Sequence, residues 1–463
     1  MSMTDIITAL EKCLGEQQVI HGTDLTNRAT SYWRPEPTQT LALLRPRNTD
    51  EVSQILKLCH AHNQPVVVQG GLTGCVDGAI STDKELIISL ERMNKIESID
   101  PVGGTATVEA GVILEVLHST LADEGLMFPL DLGARGSCTI GGNISTNAGG
   151  INVLRYGMMR DLVLGLEAVL ADGTVISSMN QMIKNNAGYD IKQLFIGSEG
   201  TLGVVTRAVV KIHPRPTSRN SAMVAVQDFD AVTVFLQYLR GALGGTLSAF
   251  EVMWDEYFCA VTEPGWHRPP MQRDHPFYIM IETEGSDPAT DTARFNETLE
   301  HAFEAELISD AVVPKSEAER KSLWDIRENF EAILEKDPYY LYDVSLPIKD
   351  MPEYVARVKA ALQGQFAGAS CYVLGHVADG NLHLFLCPGQ SGDWHESCDK
   401  AVYGPLKNFN GSISAEHGIG TEKISWLSTS RSQAEIALMR QLKGAMDPNK
   451  ILGADRVVPK TNS

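Results

Sequence analysis

Glycine falls at positions 133, 136, 141, 142, 149 and 150. By propensity that density argues against a regular helix or strand through 133–150. A backbone without Cβ atoms can instead approach something closely. A second glycine turn lies upstream, where Val66-Val67-Val68 runs into Gln69-Gly70-Gly71-Leu72-Thr73-Gly74-Cys75. Consecutive N–H groups in such a turn make a concavity suited to a pyrophosphate. Lacking G-x-G-x-x-G spacing, this segment alone reads equally well as a tight structural turn.

The surrounding pattern alternates helix and strand. The run 50–62 puts Val52, Ile55, Leu56 and Cys59 on one helical face. Strands are expected at 65–69, 86–90 and 105–109. A chain of 463 residues implies about two to four domains. The break at His213-Pro214-Arg215-Pro216-Thr217-Ser218 marks a boundary. Beyond it, strand and helix alternate at 222–226, 231–242, 277–282 and 290–306, which predicts helices on one face of a mostly antiparallel sheet. The last helix runs 433–446 and stops at Asp447-Pro448-Asn449.

A formal net charge of −19 argues against a nucleic-acid partner, so an acidic substrate must meet a local basic group. No apolar run approaches the roughly 20 residues of a transmembrane helix. The start, Met1-Ser2-Met3-Thr4-Asp5-Ile6-Ile7, has neither a secretory nor an Arg-rich transit pattern. Eight cysteines without a C-x-x-C read as reduced thiols, and the expected compartment is the cytoplasm.

A second constellation is Gly375-His376-Val377-Ala378-Asp379-Gly380-Asn381-Leu382-His383. Asp379-Gly380 between apolar runs signals a hairpin. Centred there, the hairpin makes His376 and His383 face each other with Cβ atoms ~5 Å apart, close enough to share one ion or simply to stack. Glu416 in Ser414-Ala415-Glu416-His417-Gly418-Ile419-Gly420 can complete a two-His, one-carboxylate set. Glu416 and His417 reach one site only if the backbone twists, which Gly418 and Gly420 allow. Arg327, in Leu323-Trp324-Asp325-Ile326-Arg327-Glu328, by default forms a solvated salt bridge with neighbouring acids.

Several stretches together resemble the vanillyl-alcohol oxidase type of FAD-binding domain. They are Pro129-Leu130-Asp131-Leu132-Gly133, Gly136-Ser137-Cys138-Thr139-Ile140-Gly141-Gly142-Asn143, Ser145-Thr146-Asn147-Ala148-Gly149-Gly150 and Phe195-Ile196-Gly197-Ser198-Glu199-Gly200-Thr201-Leu202-Gly203-Val204-Val205. With the histidine motifs, the resemblance extends over nearly the whole chain and is to the FAD-dependent D-2-hydroxyacid dehydrogenases. It implies an α+β protein. An FAD domain over 1–215 is followed by an α/β cap over 216–411, and 412–463 returns to the FAD domain.

The resemblance further implies that FAD contacts Gln69, Gly70, Gly71, Leu72, Thr73, Gly74 and Cys75, then Pro129, Asp131, Gly133, Ser137, Thr139, Ile140, Gly142, Asn143, Thr146, Asn147 and Gly150. Glu199 is a further implied FAD contact, and Gly200, Gly203, Val204 and Val205 approach the flavin edge. The FAD is expected to be non-covalent, since the first glycine loop has no histidine. His376, His383 and Glu416 are the implied ligands of a divalent metal: zinc first, with manganese, cobalt or iron as alternatives. His417 is the implied base, and Arg327 holds a substrate carboxylate. The implied reaction oxidises a D-2-hydroxy acid of the D-2-hydroxyglutarate, D-lactate or D-malate type. A quinone or an electron-transfer flavoprotein would take the electrons, and a homodimer is compatible with the resemblance.

The pattern departs from the hydroxyglutarate branch at two places. Leu341 stands where a lysine is usual, and Phe385 where an asparagine is. Both substitutions suit a less polar substrate. Two rival readings are a metal-dependent hydrolase using the same His/His/Glu set and a non-catalytic FAD subunit of a larger dehydrogenase.

Overall fold

In the computed structural model, which describes residues 3–460, the chain forms two units. The first takes the chain up to Gly150, Tyr156–Arg215 and everything from Glu416 onward. The second takes Ile151–Arg155 and Pro216–Ala415.

The first unit contains two principal sheets. In one, Ala42–Leu44 and Val66–Gln69 both run parallel to Leu86–Ser89, and Val19–Ile20 closes the edge antiparallel. The helix Thr49–His62 covers this sheet. It starts there because Asn48 accepts the Glu51 N–H, and Val52, Ile55, Leu56 and Cys59 on its inner face are fully buried. The other sheet is five-stranded and antiparallel, in the order Ile96–Asp100, Thr105–Glu109, Val204–Lys211, Val163–Val169, Val175–Ser178. The final helix, Gln433–Met446, opens with a capping box between Ser432 and Glu435.

The glycine-rich stretch departs from expectation: residues Ile140–Thr146 form a short helix. Local capping outweighs propensity here. Thr139 accepts the Gly142 N–H, and Asn147 ends the helix at φ 51°.

The second unit is built on one seven-stranded antiparallel sheet. Its order is Asp310–Val312, Ser218–Val226, Phe277–Gly285, Leu247–Trp254, Ser370–Gly375, Asn381–Cys387, Tyr340–Ser345. Helices lie on both faces rather than the expected one. Phe235 of the helix Phe229–Leu243 packs on Phe250, while Phe258 of Asp255–Val261 stacks at 3.6 Å on Tyr278, whose strand alternation points it to the other side. All eight residues of Leu247–Trp254 are accordingly buried. No helix among the described residues is long and apolar enough to cross a membrane.

Candidate active site

In the first unit a cavity of about 320 Å³ opens along the glycine turn that follows Val66–Gln69. Gly70, Gly71, Leu72, Thr73, Gly74 and Cys75 line it on one side. Gly133, Thr139, Gly142, Asn143 and Thr146 line another, and Glu199, Gly200, Val204 and Val205 a third. The two glycine segments meet tightly: a Cβ on Gly71 would lie 2.0 Å from the Ser137 carbonyl oxygen. Only glycine permits that approach, and the approach shapes the groove.

Several expected cofactor residues also hold the frame. The Gln69 amide donates to the Ala79 carbonyl (2.9 Å), and Asn147 Oδ1 accepts the Arg160 N–H (2.8 Å). Asp131 is ion-paired with Arg135, and Ile140 is wholly buried in the core. Gly203 packs on the Phe195 ring, and Ser137 borders a neighbouring cavity. Pro129 and Gly150 are not among the residues lining the groove.

Glu416 and His417 line the same cavity as the glycine loops. Their segment is irregular, with Gly418 at φ 89° and Gly420 at φ 53°. Gly420 is irreplaceable by geometry, because a Cβ there would meet the Val76 carbonyl oxygen at 1.8 Å. Three fixed points hold the turn. Gly150 N–H donates to Glu416 Oε1 (2.6 Å), and Thr421 N–H donates to Val76 O (3.1 Å). Ile419 and Gly420 N–H donate to the two oxygens of Glu199 at 2.7 and 2.9 Å. Burial pushes the Glu199 carboxyl up, and these N–H groups with Lys423 only partly offset it.

In the second unit His376 and His383 come together, though not in the expected register. Leu374, not His376, is the cross-strand partner of His383. The chain leaves the strand at His376 and makes a helical turn over Val377–Asp379, and Gly380 then returns it at φ 91°. His376 is thus one step diagonal to His383, and their rings still stand 5.4 Å apart.

Each imidazole has a carboxylate beside it. Glu251 Oε1 faces His376 Nδ1 at 2.6 Å, and Asp343 Oδ1 lies 3.8 Å from His383 Nδ1 across the strand pair. Asp343 Oδ2 also accepts the Ala415 N–H (2.9 Å), immediately before the turn bearing Glu416.

Arg327 is not a solvated helix residue. It is buried, donating from Nε to Glu251 Oε2 (2.8 Å), with Nη2 3.3 Å from His376 Nε2. Burial by itself would raise the Glu251 carboxyl, but the adjoining His376 and Arg327 outweigh it and hold it at about 2. The guanidinium is pushed the other way: burial lowers it, and the Glu251 charge more than restores it. Sequence reasoning missed Glu251. The available signal was a lone acidic residue inside the apolar strand L-S-A-F-E-V-M-W.

Leu341 and Phe385 are directly opposed on neighbouring strands, on the sheet face shared by Asp343 and His383. Phe330 packs on Phe385 at 5.2 Å, and Tyr372 faces it from the other side. The layer next to the histidine pair is therefore apolar.

Residues 40–178 match the family described as FAD binding domain, and residues 215–457 match FAD linked oxidases, C-terminal domain. Among solved structures, p-cresol methylhydroxylase with substrate bound superposes with a TM-score of 0.78 at 18% identity, covering 99% of this chain and 97% of that one. Alkyldihydroxyacetonephosphate synthase gives 0.75 at 17%, covering 98% and 85%. The fold is that of the vanillyl-alcohol oxidase-type flavoproteins, with an FAD-binding portion and an antiparallel C-terminal sheet.

Mitochondrial D-2-hydroxyglutarate dehydrogenase of Bos taurus is 40% identical over 98% of this chain and 84% of its own length. D-2-hydroxyglutarate dehydrogenase of Xanthomonas citri is 38% identical over 94% and 92%. A putative mitochondrial D-lactate dehydrogenase of Schizosaccharomyces pombe is 40% identical over 89% and 81%. The chain belongs to the FAD-dependent D-2-hydroxyacid dehydrogenases, a branch of the FAD-linked oxidases, and is an FAD-linked oxidoreductase. That class displaces the hydrolase reading.

Proposed function

We propose that this chain oxidises a D-2-hydroxy acid to the 2-oxo acid, with His417 as the base and a divalent cation held by His376, His383 and Glu416. The observation that carries the reading is that Glu416 and His417 line the same cavity as the glycine loops of the FAD-binding portion. The donor set suits a borderline cation such as zinc, and manganese, cobalt and iron accept the same ligands. FAD bound along the glycine loops would supply the hydride acceptor for the substrate's C2, and a cation held by His376, His383 and Glu416 would supply the Lewis acidity that lowers the C2 hydroxyl's pKa.

The remaining work falls to the chain. The neutral His417 imidazole takes the hydroxyl proton. The Arg327 guanidinium, fixed by Glu251, offers its remaining N–H groups to the substrate carboxylate. The glycine loops present backbone N–H groups to the diphosphate of FAD.

The FAD is held non-covalently. Cys138, one of the two thiols near the cradle, is buried, and burial pushes its pKa up, which keeps it protonated and un-nucleophilic. The apolar layer of Leu341, Phe385, Phe330 and Tyr372 favours a monocarboxylic acid with a short or aliphatic tail, such as D-lactate. Relatives at about 40% identity named for D-2-hydroxyglutarate support the dicarboxylate as the second reading. The electrons pass to a quinone or an electron-transfer flavoprotein, and the eight free thiols suit the cytoplasm.

The test is a dye-linked assay of purified protein against D- and L-2-hydroxy acids of graded tail polarity. Turnover of D-isomers, fastest with D-lactate or aliphatic acids, is expected. Failure to reduce the flavin with any D-2-hydroxy acid overturns the reaction, whereas preference for the dicarboxylate overturns only the substrate choice.

A further inference from the structure

Glu251 lies at the middle of the strand Leu247–Trp254, with a side chain only 2% exposed. One oxygen faces His376 Nδ1 at 2.6 Å, and the other takes the Arg327 Nε hydrogen at 2.8 Å. On the far side of the ring, Arg327 Nη2 is 3.3 Å from His376 Nε2. An ionised carboxylate only accepts hydrogen bonds, and a guanidinium only donates them. A ring caught between these two partners has one consistent arrangement, with its proton on Nδ1 and its lone pair on Nε2. A carboxylate oxygen behind an imidazole also raises the basicity of the opposite nitrogen and fixes the ring plane.

We propose that Glu251 is a positioning residue of the reaction: it locks His376 in the Nδ1–H tautomer, so that the Nε2 lone pair, which takes the Arg327 Nη2 hydrogen in this structure, passes to a divalent cation when one binds, while Nε of the released guanidinium stays anchored on the other Glu251 oxygen. One carboxylate thereby aligns a cation ligand and the substrate-carboxylate clamp. The role rests on the reading of His376 as a cation ligand. A buried Glu–Arg pair kept for folding alone would predict neither a fixed tautomer nor an effect on cation affinity, since such pairs are often replaceable by apolar ones.

The test uses full-length, FAD-loaded protein with ¹⁵N-labelled histidines, the His376 signal being identified by its loss in His376→Gln. Zinc affinity is read by competition with a chromophoric chelator. The variants are Glu251→Gln and, because Glu251→Gln leaves a buried cation, the double variant Glu251→Gln/Arg327→Met. Wild type should show the Nδ1–H form, and both variants should lose its dominance. Zinc affinity should fall about 10–100-fold in each, with the flavin-to-protein ratio unchanged. An Nε2–H ring in wild type, measurable even if both variants fail to fold, overturns the proposal. So does folded variant protein that binds zinc as tightly as wild type. Wild type that takes up no zinc at all overturns the ligand reading itself and this role with it.

Discussion

Glu199 accepts the backbone N–H of Ile419 at 2.7 Å, so the acidic residue of the G-S-E-G-T-L-G segment grips the turn that carries Glu416 and His417. Its second oxygen takes the Gly420 N–H. Glu199 adopts φ 52° to do so, a conformation costly for a residue with a side chain and sustained by these contacts.

Replacing Glu199 with Gln leaves one of the two N–H groups facing an NH₂. The turn should loosen while the glycine loops remain. Flavin reduction in stopped flow should slow by about 10²-fold, the cost of a small misplacement at a reacting centre. The flavin-to-protein absorbance ratio should stay near wild type. An unchanged rate would show that the clamp has no bearing on His417.

His417→Ala and Glu416→Ala should separate base from ligand. The first should lower flavin reduction by about 10²–10⁴-fold with metal content preserved. The second should lose metal and activity together. Metal analysis beside stopped-flow reduction decides it. Loss of metal in His417→Ala with retention in Glu416→Ala would exchange the two roles.

Chelation should abolish turnover and leave the flavin bound, because His376 and His383 belong to the second unit while the glycine loops belong to the first. Metal affinity should also fall as pH drops through the histidine range, since imidazole ligands coordinate only when deprotonated. A metal-free preparation with full activity would remove the ion from the mechanism.

Stability in acid should report the Glu251 carboxylate. Its folded pKa of about 2 lies below the ordinary 4.5, so its contribution is present above roughly pH 4.5 and is lost as pH falls toward 2. Urea unfolding of wild type and Glu251→Gln between pH 6 and about 3 should give a gap that narrows with acid. A gap constant across that range counts against the ion pair.

The double change Leu341→Lys, Phe385→Asn should move preference toward a dicarboxylate by raising kcat/KM for D-2-hydroxyglutarate relative to D-lactate. The two side chains are cross-strand partners and Phe385 is buried, so thermal unfolding and flavin content of the double variant are checked before the ratio is read. Tenfold in that ratio is about 1.4 kcal/mol, the scale of one favourable charged hydrogen bond. An unchanged ratio would place the substrate tail elsewhere.

Much of the candidate site could be read along the chain because its signals are local. The glycine turn after Gln69, the capped helix ending at Met446 and the turn at Gly418 and Gly420 depend on φ preferences and caps that neighbouring residues set. The histidine pair was legible as a pair, but its register was not. A two-residue turn at Asp379-Gly380 predicts direct opposition, whereas the observed helical turn over Val377–Asp379 shifts the pairing so that Leu374 faces His383. Turn type depends on what the loop packs against, and a dipeptide does not encode that.

By itself the sequence determined the family, the glycine loops and the residue types available for acid–base and metal chemistry, because motif spacing and backbone preference are short-range properties. Only the tertiary structure decided which carboxylate stands behind which imidazole. Glu251 and His376 are far apart in the chain, as are Glu199 and Ile419, and each pair meets because burial of two distant apolar segments brings a polar group on one within 2.7 Å of its partner on the other. A buried charge must find an opposite or a donor, and packing alone chooses which one.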